Sequence, residues 1–213
     1  MKLYGYWRSS AAYRVRIALN LKGLDYETVS VNLAPAVREH RGAAFRAVNP
    51  QARIPVLVDG DLSLSQSLAI LEYMEDKYPE PPILPADRET RAFARQLALT
   101  IACDVHPLQN SGVLLYLAEL GLAEPQRVRW CHHWIAEGLT ALEKLLIDRG
   151  TTGPYCMGME VSIADICLIP QIYNARRFEV SLDGCPRLCA IESACMKLEA
   201  FKRAAPESQP DAP

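Results

Sequence analysis

No Cys-x-x-Cys pair occurs in the 213 residues, although seven cysteines are present: Cys103, Cys131, Cys156, Cys167, Cys185, Cys189 and Cys195. An odd number without paired spacing argues against a disulfide framework and against a zinc site, and no metal is expected. Most of these residues read instead as free thiols packed in helix cores. No apolar run approaches the roughly 20 residues that span a bilayer, and a stretch such as 163–172 is interrupted by Asp165. Residues 1–8 hold neither an apolar core of signal-peptide length nor a small-residue cleavage site, so a cytoplasmic location is expected. A basic excess is also missing. A formal net charge of −2 and a pI near 6.1 leave no electrostatic footprint for nucleic acid or for an anionic membrane surface. Internal repeats and low-complexity tracts are missing as well.

What remains is a composition typical of folded domains, 50% hydrophobic and 23% charged. Its texture changes along the chain. Residues 2–7 and 26–31 alternate apolar with polar or small side chains, as strands do, and residues 11–22 between them read as a helix stopped at Gly23. A right-handed crossover would make these two strands parallel. A second helix is expected over 36–48. Then come Ile54-Pro55-Val56-Leu57-Val58 and Leu62-Ser63-Leu64 around Asp59-Gly60, a strong hairpin signal. A further helix follows over 68–75, with a serine available as its N-cap. The order is β-α-β-α-β-β-α. Residues 78–85 contain four prolines and mark a stiff boundary, giving domains of 1–80 and 87–213.

From Asp87 onward the pattern is helical: 88–120 with an interruption near Pro107, 124–147, and a last helix over 186–201 before an ordered-to-frayed tail. Ser162-Ile163-Ala164-Asp165 fits a capping box, so Asp165 is assigned to a helix start rather than to chemistry.

The first domain's element order looks like a thioredoxin-type fold, and on that resemblance Pro55 should be cis. The redox cysteines of such folds are replaced by Arg8-Ser9-Ser10-Ala11-Ala12. A hydroxyl at a helix N-terminus cannot exchange disulfides, but it can donate a hydrogen bond to an anion held by the helix dipole; a bound thiolate is one such anion. A plain N-cap is the simpler role for Ser9 or Ser10.

The run from Tyr6 through Arg14-Val15-Arg16-Ile17-Ala18-Leu19 to Gly23 resembles the signature of zeta-class glutathione transferases. The resemblance continues through Asn49-Pro50, Ile54-Pro55, Gln66-Ser67, residues 103–110, Pro170-Gln171, residues 175–178 and Gln209-Pro210-Asp211, nearly the whole chain. It implies a glutathione transferase fold: a thioredoxin-like domain, an all-helical second domain and a homodimer. It also implies glutathione as cofactor and a small anionic maleyl keto acid as substrate, isomerised from cis to trans with the cofactor returned unchanged. By the same resemblance Ser9 and Ser10 form the catalytic turn at the sulfur. Ile54 and Pro55 serve the cysteinyl part of glutathione, and Gln66 and Ser67 its γ-glutamyl end. His106, Gln109 and Asn110 complete the cofactor site. Arg8 and Arg176 are the substrate-binding candidates, because an arginine fork pairs with carboxylate through two parallel bonds. Many members read Ser-Ser-Cys where this chain has Ala11, so any chemistry must rest on glutathione's own thiol. One alternative is a zeta-like transferase acting on halogenated acids or other electrophiles, whose dehalogenating form that substitution weakens; a second is a glutathione-binding protein without turnover. Arg14 and Arg16 are read as structural, Arg177 as a surface or salt-bridging residue, and His132 and His133 as packing or surface residues.

Overall fold

The computed structural model describes residues 1–213, which gather into two compact units: Met1–Ile83 with Lys197–Pro213, and Leu84–Met196. In the first unit the strands and helices run β1 (Lys2–Gly5), α1 (Ser10–Leu21), β2 (Glu27–Ser30), α2 (Ala43–Val48), β3 (Val56–Asp59), β4 (Leu62–Ser65) and α3 (Ser67–Lys77). Strand order is β2-β1-β3-β4. β1 lies parallel to β2 and antiparallel to β3, and β3 and β4 form the anticipated hairpin, with Val56 opposite Ser65 and Asp59 opposite Leu62. Gly60, at φ +60°, supplies the backbone conformation that this turn needs and that side chains resist.

α1 is buried almost all round. Ala12, Val15, Ile17, Ala18 and Leu19 have no exposed surface, and even Arg14 and Arg16 are enclosed. It stops where expected, with Lys22 as C-cap and Gly23 in the left-handed region at φ +65°. The expected helix over 36–48 is shorter than its pattern. Arg38 adopts a left-handed conformation, Glu39–Arg41 make one 3₁₀ turn, and Gly42 is extended, so the α-helix begins only at Ala43. On one sheet face Val31, Phe45 and Val56 form a small core with Tyr4, Val48, Ile54 and Val58.

The C-terminal residues depart further from expectation. In place of one helix over 186–201 there are two, α8 (Pro186–Cys195) and α9 (Glu199–Ala204), separated where Leu198 is extended. α9 packs on α1: Asn20 donates to the Ala200 carbonyl and Arg16 to that of Ala204, each at 3.0 Å, while Phe201 and Ala204 are fully buried. The expected division, 1–80 and 87–213, is therefore corrected for Lys197–Pro213, which joins the first unit because its apolar side chains and carbonyls are used there. The tail is not frayed either. Gln209 is buried and its amide donates to the Arg203 and Ala205 carbonyls at 2.9 and 2.8 Å.

The second unit is helical, with α4 (Arg88–Leu99), α5 (Ser111–Glu119), α6 (Glu124–Arg149), α7 (Ile163–Arg177) and α8. The interruption near Pro107 is a π-helical turn over Thr100–Val105 followed by a 3₁₀ turn over His106–Gln109. Pro107 has no N–H to continue the α ladder. Gly138 of α6 makes room for this detour, since a Cβ there would come within 2.2 Å of Val105. No helix is long and apolar enough to cross a membrane.

Candidate functional site

Ser9 is the N-cap of α1: its backbone is extended, and its Oγ accepts the Ala12 N–H at 3.2 Å. Accepting that bond leaves the hydroxyl hydrogen available for an acceptor outside the protein. Ser9 is half-buried; Ser10, the first helical residue, is buried and faces inward. The turn carrying Ser9 is held from three sides. The Ser9 N–H donates to Tyr6 O at 2.9 Å, Arg16 Nη2 donates to Trp7 O at 2.9 Å, and the Trp7 N–H donates to Asp211 Oδ2 at 3.0 Å. Arg8, next to it, is exposed with its guanidinium over the Trp7 ring.

The Ile54–Pro55 peptide is cis, as expected. A second cis bond, Glu80–Pro81, had no sequence signal. Ile54 lies just ahead of the β3 ladder, which begins at Val56, so its peptide groups stand beside the sheet rather than in it. Asn49 prepares this approach: buried, it donates to Arg53 O and accepts the Gln51 N–H at 3.0 Å.

At α3 the expected serine cap is replaced by another arrangement. Gln66 occupies the cap position at φ +72°, gives no side-chain cap bond, and its amide reaches Gln51 at 3.0 Å. Ser67 is the first helical residue, buried, and accepts from Arg14 Nη1 at 3.2 Å. Helix starts leave N–H groups without intrahelical partners, and those of α3 receive no side-chain acceptor.

In the second unit, His106 opens the 3₁₀ turn and is half-buried. Gln109 is only 4% exposed; its Oε1 accepts from Asn174, and its Nε2 has no partner. That placement makes Gln109 an internal link between the turn and α7. Asn110 caps α5 through the Gly112 N–H at 3.0 Å. Arg176 is exposed at the end of α7, where Glu192 takes two of its donors, Nε at 2.9 Å and Nη2. The Glu192 carboxylate raises the Arg176 pKa, against a smaller opposing effect of burial. Arg177 stacks on Phe178 and reaches Asn174 Oδ1.

Away from these residues, Asp165 is fully buried and accepts the Ser162 N–H and Oγ and the Cys156 N–H at 2.8–3.0 Å, the expected cap with one further donor. Burial raises its pKa, and the surrounding donors only partly offset that. His132 bonds the Phe178 carbonyl and His133 pairs with Glu137. Five cysteines are buried, Cys103 is exposed and Cys189 is half-buried, all as free thiols. No three His, Cys, Asp or Glu side chains converge as a metal would require.

A thioredoxin-like sheet with cis-Pro55 and serine in place of the redox pair is the N-terminal half of a glutathione transferase, and a family model described as glutathione S-transferase, N-terminal domain, matches residues 3–82. A probable maleylacetoacetate isomerase of Vibrio cholerae is 50% identical over 99% of this chain and 97% of its own length. Two solved structures superpose along the whole of both chains. One is a holo maleyl pyruvate isomerase, described as a bacterial zeta-class glutathione S-transferase (TM-score 0.97, 45% identity). The other is a maleylacetoacetate isomerase of Methylobacterium extorquens AM1 with bound malonate and glutathione (TM-score 0.96, 41% identity). The chain belongs to the zeta class of glutathione transferases, the family of these isomerases.

Proposed function

We propose that this protein is a glutathione-dependent cis–trans isomerase of a maleyl keto acid, maleylacetoacetate or maleylpyruvate. The observation that carries the reading is the pairing of two helix starts in the first unit, Ser9 on α1 and Ser67 on α3, with the peptide of Ile54 beside cis-Pro55. The donor set suits an anionic peptide thiol. When bound, glutathione would supply a thiolate nucleophile able to add reversibly to a conjugated double bond.

The chain's own residues do the rest. Ser9 donates its hydroxyl to the sulfur, and the positive end of α1 favours the ionised thiol, as it does for cysteines at helix N-termini. Ile54 offers peptide groups to the cysteinyl part. The uncapped start of α3, with Ser67, receives the γ-glutamyl carboxylate, and Gln66 its amine. Arg14 orients Ser67 from behind. His106 and Asn110 remain candidates for cofactor contact, while Ser10 shapes the turn from within. Arg8 and Arg176 take the substrate's carboxylates. Glu192 claims Nε and one Nη2 donor of Arg176, and the Nη1 edge is left for a second carboxylate. The protein works in the cytoplasm as a homodimer, with the first unit serving the cofactor and the helical part over 87–196 serving the substrate.

The test is turnover of both maleyl keto acids by purified protein with and without glutathione. Isomerisation only when glutathione is present supports the reading, and the ratio of kcat/KM selects the substrate. Retention on a glutathione matrix without turnover of either compound would replace it with a non-catalytic binder.

A further inference from the structure

We propose that Asp211 is a positioning residue for the Ser9 turn: its carboxylate holds the Trp7 peptide and thereby sets where the Ser9 hydroxyl stands. The proposal rests on the assignment of Ser9 to the glutathione sulfur. Asp211 is 204 positions from Trp7 in sequence, yet Oδ2 accepts the Trp7 N–H at 3.0 Å and the Ser30 hydroxyl at 2.8 Å. One carboxylate oxygen thus links the turn after β1 to the end of β2. The Trp7 carbonyl is fixed independently by Arg16, whose Nε also reaches the Ala204 carbonyl. The two peptides that meet at Trp7, Tyr6–Trp7 through its N–H and Trp7–Arg8 through its carbonyl, therefore depend on residues 204–211, directly or through Arg16. That segment is itself anchored, since the Gln209 amide bonds the Arg203 and Ala205 carbonyls.

The turn is also tied to α1, since Ser9 O accepts the Tyr13 N–H at 2.8 Å and Arg16 Nη1 donates to Tyr6 O at 3.4 Å. Residues 6–9 lie between β1 and α1, outside the sheet ladder, and their one internal backbone bond is Ser9 N–H to Tyr6 O. A shift of the Trp7 peptide would be passed through Arg8 to Ser9. A displacement of a reacting group by about 1 Å is enough to cost about 100-fold in rate. An ionised carboxylate on a peptide N–H is a strong, short-range restraint suited to this task.

The experiment compares wild type with Asp211→Ala, Asp211→Asn and Ser9→Ala, measuring kcat, glutathione KM and the acid limb of the kcat–pH profile with the maleyl substrate. Asp211→Ala is expected to lower kcat about tenfold and to move the acid limb upward, in the direction of Ser9→Ala, with glutathione KM changed less than about threefold. Asp211→Asn keeps an oxygen for the Trp7 N–H and should restore kcat to within about threefold of wild type. If Asp211→Ala lowers Tm but leaves kcat and the pH profile unchanged, Asp211 is merely structural and the proposal is overturned. Failure of Asp211→Asn to rescue overturns it as well. If Ser9→Ala itself leaves kcat and the profile untouched, the assignment of Ser9 is what has failed.

Discussion

Two helix starts in the helical unit, those of α7 and α8, contrast with two in the thioredoxin-like unit, those of α1 and α3. In the helical unit, α7 begins with a closed capping box: Asp165 and Ser162 are buried and satisfy one another and the N–H of Cys156. α8 begins likewise on a buried carboxylate, Glu143, which accepts the N–H groups of Arg187 and Leu188 at 2.9 Å. In the thioredoxin-like unit, α3 begins with no side-chain cap, and α1 begins on a half-buried serine whose hydroxyl hydrogen is uncommitted. Helix N-termini attract anions. Where the chain provides a buried carboxylate as acceptor the result is stability; on the proposed reading the starts of α1 and α3 instead receive an anion from glutathione.

Breaking the closed start should produce the largest effect. Asp165→Ala leaves three buried donors without an acceptor and is expected to destabilise the fold by about 3 kcal/mol in denaturant unfolding. The protein that remains folded should keep its turnover. Because burial raises the Asp165 pKa, the native state binds its proton more tightly than the unfolded chain does. Its contribution is therefore greatest below the unfolded value near 3.8 and is lost as pH rises through the folded pKa. The advantage of wild type over Asp165→Asn should accordingly widen toward acid.

Breaking the open start should do the reverse. Ser9→Ala is expected to cost about 100-fold in kcat, while its loss of stability stays within the ~1 kcal/mol typical of a single cap. Ser67→Ala removes a hydroxyl from α3 and should raise glutathione KM about tenfold with kcat little changed. Equal effects of these two variants on kcat would contradict the division of roles between α1 and α3. The smallest effect belongs to a surface group with no part in the contrast. Asp59 is held below its ordinary pKa by bonds from Lys77 and Tyr73. Its contribution is present above the unfolded pKa and lost as pH falls through the lower folded one, so Asp59→Asn should lower Tm slightly at neutral pH and not at all in strong acid.

Much of this contrast was legible in the sequence. The capping box is a local spacing, the hairpin is signalled by Asp59-Gly60, and Gly23 marks the end of α1, so nearest neighbours carry the information. The open start of α3 was less so, because serines at 65 and 67 read equally well as caps; only the φ of Gln66 shows that neither is one. Long-range partners left no trace. Lys22 is buried against Glu75 and the Tyr78 and Pro81 carbonyls, and Glu143 caps a helix 43 positions away at Pro186. The break between α8 and α9 carries neither Pro nor Gly; it follows from the burial of Phe201 and Ala204. Gln109 illustrates the same limit, since its link to Asn174 depends on how α7 packs rather than on its own neighbours.

The most direct test is to titrate the thiol of bound glutathione by its thiolate absorbance in wild type and in Ser9→Ala. If the open start of α1 holds the sulfur as an anion, the bound thiol in wild type ionises well below free glutathione, and Ser9→Ala returns it most of the way. An unshifted thiol in wild type, or an identical titration in both proteins, would contradict the account.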